Sequence, residues 1–249
     1  MAINTEKNTY TVLFATLMVV VVGAILAYLA SGLKPRIKEN ERFEKQQNIL
    51  YAMGVNENED AGTVNFIPTN QVESVFTQFI KEQLVINGDQ ITQDDQAYLI
   101  DMKQQLAALK DGRSARLPVF IGEKDGKTFY ILPMYGKGLW DAIWGFMALD
   151  DQLVVQGVYF DHKAETPGLG ANIKQRFFMD DFQGEHIMNN GRLVGINVKK
   201  GNNDPTNANK DDNAVDALAG ATITGNGVSA MISESLYLYK DYLESIKTN

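Results

Sequence analysis

The chain has 249 residues, of which 45% are hydrophobic and 22% charged, and its formal net charge is −8. This composition is typical of a folded protein, and the acidic balance argues against nucleic acid as the main partner. The absence of cysteine excludes disulfides, iron–sulfur ligation and thiol catalysis, and two histidines 24 positions apart give no basis for a multi-histidine metal site.

The N-terminus carries one long apolar segment. Residues 12–30, VLFATLMVVVVGAILAYLA, contain no charge. At about 1.5 Å per residue, such a helix spans roughly the 30 Å hydrocarbon core of a membrane. We therefore predict a short tail over residues 1–10 and an uncleaved transmembrane helix over residues 11–32. The alternative is a cleavable signal peptide, which predicts a shorter apolar region and a small-residue cleavage site.

Basic residues follow this segment. Five Lys and Arg residues lie between positions 34 and 45, whereas only Lys7 and the amino terminus precede the apolar segment. By the positive-inside rule, the rest of the chain is expected to be cytoplasmic.

Helical spacing continues after the apolar segment. Pro35 is expected to end the first helix, and apolar residues then predict an amphipathic helix over about residues 37–53. A second helix is predicted to begin near Asn70, and a third to cover about residues 95–110. We therefore expect a helical region over residues 33–112, packed on the domain that follows.

The pattern changes to strands at about residue 113. Two β-rich runs flank Asp125–Gly126, and two more flank Asp150–Asp151, which predicts antiparallel hairpins. A short helix, the strand RLVGINVKK, a polar loop and a final helix follow. The sequence thus predicts an α+β fold, a twisted antiparallel sheet with packed helices, for a domain over residues 113–249.

Four glycine-rich segments stand out: YGKGLW (135–140), ETPGLGAN (165–172), VKKGNN (198–203) and LAGATITGNG (218–227). Each alone is most simply a turn. Together they would let backbone amides approach a ligand, and the last one opens a helix, whose N-terminus favours phosphate. Aromatic and basic residues that could serve a phosphorylated aromatic ligand are Trp140, Trp144, Tyr135, Lys199 and Lys200. No catalytic group and no metal site is predicted.

DALAGATIT (216–224) resembles the flavinylation motif of the FMN-binding domain family, which is Asp, two variable positions, usually Ser or Thr, then Gly-Ala-Thr. The resemblance implies FMN joined by a phosphoester bond to Thr222, with Asp216, Gly220 and Ala221 as the other motif residues. The chain departs from the motif at Ala219. The resemblance further implies that residues 135–140, which include Trp140, and residues 165–172 line the flavin ring, with Thr166, Gly168, Leu169 and Gly170 as contacts. Lys199, a candidate from its charge, completes the set of expected FMN contacts.

Three segments, YGKGLWDAIWGFMAL, HKAETPGLGANI and DALAGATITGNGV, are similar in order and spacing to the NqrC family, the C subunits of sodium-translocating NADH:quinone reductases. The resemblance implies an electron relay towards a second covalent FMN in the B subunit and then quinone, coupled to sodium export. It also implies the B, D, E and F subunits as partners, and a flavin transferase during maturation. No NADH oxidation is expected of the isolated protein.

The resemblance implies a bacterial inner-membrane protein whose FMN domain faces the periplasm, against the charge rule. Two alternatives stay open. One is the homologous G subunit of an Rnf-type ion-translocating electron-transport complex. The other is a membrane-anchored, non-redox binding or assembly module in which Gly-Ala-Thr is merely a helix-entry turn.

Overall fold

The computed structural model describes residues 8–59, 62–202, 204 and 206–248. Most of the tail expected over residues 1–10 therefore lies outside the described residues. The chain divides into two compact units, Met1–Arg42 and Phe43–Asn249. The helices of eight or more residues are α1 (Asn8–Ala52), α2 (Val72–Phe79), α3 (Met102–Lys110), α5 (Thr222–Leu238) and α6 (Lys240–Thr248), and α4 is a single turn (Arg176–Met179).

The first unit consists of the N-terminal part of α1, whose apolar side chains are exposed, for example Val19 at 73% and Leu13 at 70%. Among the described residues, α1 is the one helix long and apolar enough to cross a membrane. The expected stop at Pro35 is wrong, because α1 continues through it. One lost backbone hydrogen bond is outweighed by the helix-forming residues on both sides of the proline.

The second unit is built on one antiparallel sheet. Its strands lie in the order β2-β1-β3-β4-β5-β6, so that neighbours are joined mostly by short hairpins. These strands are β1 (Ile80–Asn87), β2 (Gln90–Gln93), β3 (Leu117–Lys124), β4 (Lys127–Lys137), β5 (Ala142–Leu149) and β6 (Val155–His162). The α+β prediction, with an antiparallel sheet and an N-terminal apolar helix, is confirmed.

The secondary structure of residues 33–112 differs from the expectation of an all-helical region. Strand β1 pairs with both β2 and β3, so this region supplies two strands to the sheet. Gly88, with a φ of 58°, and Asp89 form the two-residue turn between β1 and β2. Glycine at the first position of a two-residue turn is a hairpin signal that the helical interpretation overlooked. The separate domain boundary at residue 112 stays a prediction.

Short strands lie outside the main sheet. They are β7 (Met188–Asn189), β8 (Arg192–Leu193), β9 (Asn197–Lys199) and β10 (Ala214–Asp216). Strands β9 and β10 pair in parallel, with Asp216 opposite Lys199. The single strand expected over residues 192–200 is divided into β8 and β9, where Gly195 adopts a φ of 72°.

Helix α5 packs across β4 because glycines allow close approach. A Cβ on Gly136 would lie 2.7 Å from Met231 Cβ, and a Cβ on Gly227 would overlap the carbonyl oxygen of Lys137. The final helix, expected to be continuous to residue 246, is interrupted at Tyr239. The buried Tyr239 hydroxyl donates to the Pro118 carbonyl oxygen at 3.0 Å, which fixes the end of α5 to β3.

Candidate functional site

A groove of about 260 Å³ opens where the turn before α5 meets the loop after β6 and the turn after β4. Three of the four glycine-rich segments contribute to it. Its lining residues are Leu139, Glu165, Thr166, Leu169, Gly170, Gly220, Ala221, Thr222, Ile223 and Thr224.

A buried carboxylate joins the three segments. Glu165 is 4% exposed, and its Oε1 accepts a hydrogen bond from the Trp140 backbone N–H at 2.9 Å. Its Oε2 accepts from the Thr224 hydroxyl at 2.5 Å. Cβ atoms on Gly138 or Gly170 would each lie 2.5 Å from a Glu165 oxygen, so both positions need glycine. The groove is therefore assembled around this side chain.

The two threonines at the start of α5 differ in their surroundings. Thr224 is 1% exposed and its hydroxyl is bonded to Glu165. Thr222 is exposed, is the first residue of α5, and lies on the groove. Of these two threonines, only Thr222 is exposed to solvent.

The turn before α5 leaves its N-terminus open. Gly220 has a φ of 72°, a conformation that suits glycine, and the Ala221 N–H donates to the Leu218 carbonyl oxygen at 3.1 Å. Ala221, the residue before the helix, provides no side-chain cap. The first-turn amides and the positive end of the helix dipole are thus available to an anion beside Thr222.

The walls of the groove are apolar and partly exposed. Leu139 is 43% exposed, Leu169 42% and Ile223 58%. Trp140 borders them, and its indole N–H donates to the Thr166 hydroxyl at 3.2 Å. Such exposed apolar surface beside an anion site suits a ligand with a flat ring and a phosphate.

His162 lies behind the groove. Its Nδ1 accepts the Glu165 backbone N–H at 3.2 Å, so the ring proton of the neutral form lies on Nε2. Burial lowers the pKa of His162, which keeps the ring neutral near pH 7. Within the described part of the chain, no group of three His, Cys, Asp or Glu residues could hold a metal ion.

The structure brings together six of the ten residues predicted to contact FMN. The residues that line the groove are Thr166, Leu169, Gly170, Gly220, Ala221 and Thr222. Trp140 lies outside the lining, and its indole N–H donates to the hydroxyl of the lining residue Thr166.

Three other predicted contacts lie outside the groove lining: Gly168, Asp216 and Lys199. Gly168 is exposed with a φ of 76°, so it serves the turn. Asp216, the last residue of β10, lies opposite Lys199 of β9, and the rest of the motif follows directly after β10. Trp144, Tyr135 and Lys200 also lie outside the lining.

The sequence analysis did not single out Glu165, Leu139, Ile223 or Thr224, although all four lie within the glycine-rich segments that it named. Glu165 carried a usable signal, since it is a lone acid immediately before the glycine-rich TPGLG segment. Its link to Thr224, 59 positions away, is a tertiary contact that no local pattern encodes.

The comparisons with known proteins match the part of the chain that contains the groove. The FMN-binding domain family model matches residues 138–237, which contain the whole groove. The C subunit of the Na(+)-translocating NADH-quinone reductase of Yersinia pestis is 30% identical over 237 residues, 90% of this chain and 87% of the relative. The Pseudomonas aeruginosa protein of the same name is 30% identical over 264 residues, 99% and 97% of the two chains.

Two solved structures are similar throughout the domain. The crystal structure of the C subunit of the Na(+)-translocating NADH-quinone reductase from Parabacteroides distasonis has 31% identity and a TM-score of 0.69, covering 85% of this chain and 96% of the other. That of Shewanella oneidensis NqrC has 25% identity and a TM-score of 0.67, covering 84% and 99%.

Proposed function

This chain belongs to the NqrC family, the C subunits of Na(+)-translocating NADH-quinone reductases, and from that membership we propose that it relays electrons through an FMN joined to Thr222 by a phosphoester bond. The observation that carries the proposal is the contrast between the exposed Thr222 hydroxyl at the mouth of the groove and the buried Thr224 hydroxyl beside it.

The residues present fit an FMN group. The uncapped N-terminus of α5 suits the phosphate, and the walls formed by Leu139, Leu169 and Ile223 suit an aromatic ring. At about 260 Å³ the groove is slightly smaller than common ligand pockets, which begin at about 300 Å³. The groove would therefore hold part of the FMN and leave the rest at the surface, where an electron partner can approach.

Each part of the groove has a distinct task. A flavin transferase would form the bond between Thr222 Oγ1 and phosphorus; the hydroxyl loses its proton, and a phosphoanhydride bond in the flavin donor breaks. The backbone amides at the start of α5 then bind the remaining phosphate oxygens. Leu139 and Leu169 exclude water from one side of the ring. Bound FMN supplies the redox chemistry, and covalent attachment prevents its loss in any oxidation state.

Within the complex, we place this protein between carriers that receive electrons from NADH and the covalent FMN of the B subunit, on the route to quinone. The D, E and F subunits are the other proposed partners, and sodium export is the coupled process. Helix α1 would anchor the chain in the bacterial inner membrane, with the FMN domain in the periplasm. Small residues of α1, such as Gly23 and Ala27, allow close packing with partner helices.

The test is in-gel flavin fluorescence and intact mass of the full chain co-expressed with an active flavin transferase. We expect the wild type and Thr224→Val to keep fluorescence and added FMN mass after denaturation, and Thr222→Ala to lose both. Thr224→Val is the matched control, because it removes the neighbouring hydroxyl and keeps the side-chain shape. An unmodified wild type, beside a modified control substrate, would support the non-redox binding module instead.

A further inference from the structure

We infer that the carboxylate of Glu165 lowers the midpoint potential of the flavin held in the groove, so that this protein readily passes electrons on. The inference rests on the proposed function, since it requires FMN on Thr222. It concerns a residue outside the motif, which lies 57 positions before Thr222 in the sequence.

The side chain of Glu165 is held in place by hydrogen bonds from neutral donors. Both of its oxygens accept hydrogen bonds, one from the Trp140 backbone N–H and one from the Thr224 hydroxyl. A carboxylate is acceptor-only, so this arrangement satisfies it without a proton of its own. Positions 138 and 170 need glycine, because Cβ atoms there would overlap the oxygens of Glu165.

The charge of Glu165 has no counter-ion. Among the described residues, no ion pair joins it to a Lys, Arg or His, and its partners are neutral donors. Hydrogen bonds from neutral donors spread a negative charge without cancelling it. Glu165 also lines the groove that contains Thr222, so a flavin attached there lies beside a net negative charge.

The direction of the effect follows from charge balance. Each electron that enters the flavin from an external donor adds one negative charge to it, unless a proton from solvent follows. A carboxylate beside the ring disfavours added negative charge, as a neighbouring like charge does for any ionising group. The dipole of α5 opposes this only in part, since it is equivalent to about half a charge. Reduction is therefore less favourable with Glu165 present.

The experiment is redox titration of the flavinylated full chain in detergent, by spectroelectrochemistry at pH 7, with an electrode as the electron source. We expect Glu165→Gln to raise the midpoint potential, with at least a tenfold larger ratio of reduced to oxidised flavin at a fixed applied potential. That ratio corresponds to about 59 mV for a one-electron step. Glu185→Gln is the matched control, because Glu185 is also a fully buried acid but lies outside the groove lining. It should leave the potential unchanged.

Thr224→Val separates charge from structure. It removes a hydrogen bond to Glu165 but keeps its carboxyl group, so the potential should rise less than in Glu165→Gln. Equal rises in Glu165→Gln and Thr224→Val would overturn the inference, because loosening of the groove would then explain both. An unchanged potential in Glu165→Gln would overturn it directly.

A second route avoids any dependence on the stability of a Glu165 variant. Leu139 is 43% exposed and lines the same groove, so Leu139→Lys places a cation near the carboxylate without disturbing the core. We expect this variant also to raise the midpoint potential, and no rise would count against the inference. Failure of the proposed function is distinguishable, because the wild type would then carry no covalent flavin at all.

Discussion

At the scale of single residues, Thr222 and Thr224 show how far a motif can be interpreted. The motif selects Thr222 from local sequence alone, by its Gly-Ala-Thr centre and its distance from Asp216. What makes Thr224 unsuitable is its hydrogen bond to Glu165, on a loop 59 positions away. The candidate attachment residue could therefore be predicted from the sequence, whereas the contacts of Glu165 with Trp140 and Thr224 could not, because these partners meet only after the sheet forms.

Glu185 provides a second residue-scale case. Its side chain is fully buried. Oε1 accepts a hydrogen bond from Asn207 Nδ2 at 3.0 Å and lies 3.8 Å from Lys210 Nζ. Oε2 has no hydrogen-bond partner among the described residues. Burial raises the pKa of Glu185 from 4.5 to about 7, although Asn207 and Lys210 act in the opposite direction. The folded protein thus binds this proton more tightly than the unfolded chain does.

We predict a stability difference that depends on pH. The contribution of Glu185 is complete below its unfolded pKa and is lost as the pH rises through about 7, a change on the order of 3 kcal/mol. Urea unfolding of the full chain at pH 5, 6, 7 and 8 should show the wild type losing stability relative to Glu185→Gln. Other titrating groups are common to both proteins and cancel in that difference. Parallel stability profiles would contradict the prediction.

At the scale of elements, turn chemistry decided what could be predicted. Asp125 and Gly126 adopt φ values of 52° and 74°, so the hairpin between β3 and β4 follows from the two residues that tolerate this conformation. The hairpin signal at Gly88–Asp89 was hidden beside α2, whose helical spacing ends at Phe79 immediately before β1. Adjacent helix and strand periods overlap in one window there, which explains the missed hairpin.

The close contact between α5 and β4 predicts that alanine at position 227 destabilises the protein, which is the opposite of what helix propensity alone predicts. In an exposed helix, Gly→Ala stabilises by about 1 kcal/mol. At Gly227 the added Cβ would overlap the Lys137 carbonyl oxygen, a backbone atom that cannot move aside without disturbing β4. We expect Gly227→Ala to lower the free energy of unfolding by about 1–3 kcal/mol in urea titrations.

Asn226→Ala is the control for that variant. Asn226 is exposed on the same helix, so its replacement should change the free energy of unfolding by no more than about 0.5 kcal/mol. A Gly227→Ala protein as stable as the wild type would mean that α5 does not pack on β4 as closely as described.

At the scale of the whole molecule, the anchor and the orientation of the chain are separate questions. Composition predicted the apolar helix, because a long uncharged run leaves few alternatives in water. The distribution of Lys and Arg around that helix predicted a cytoplasmic domain, whereas the proposed function has the domain in the periplasm. Charge bias governs short loops better than large domains, which can be translocated despite it.

The lack of cysteine allows a direct test of orientation. We predict that Asp151→Cys, in the exposed turn between β5 and β6, reacts with a membrane-impermeant maleimide in intact cells. Thr5→Cys, in the N-terminal tail, should react only after lysis. The reverse pattern would place the domain in the cytoplasm, as the charges alone suggest.

Trp140 gives the molecule an optical property of its own. Its indole is 66% exposed, is held by Thr166, and borders the groove, while Trp144, the second tryptophan of the chain, is half-buried on β5. Tryptophan emission overlaps flavin absorption, so energy transfer from Trp140 would quench its fluorescence as soon as the cofactor is in place. The protein would then signal its own maturation, in real time and without a dye.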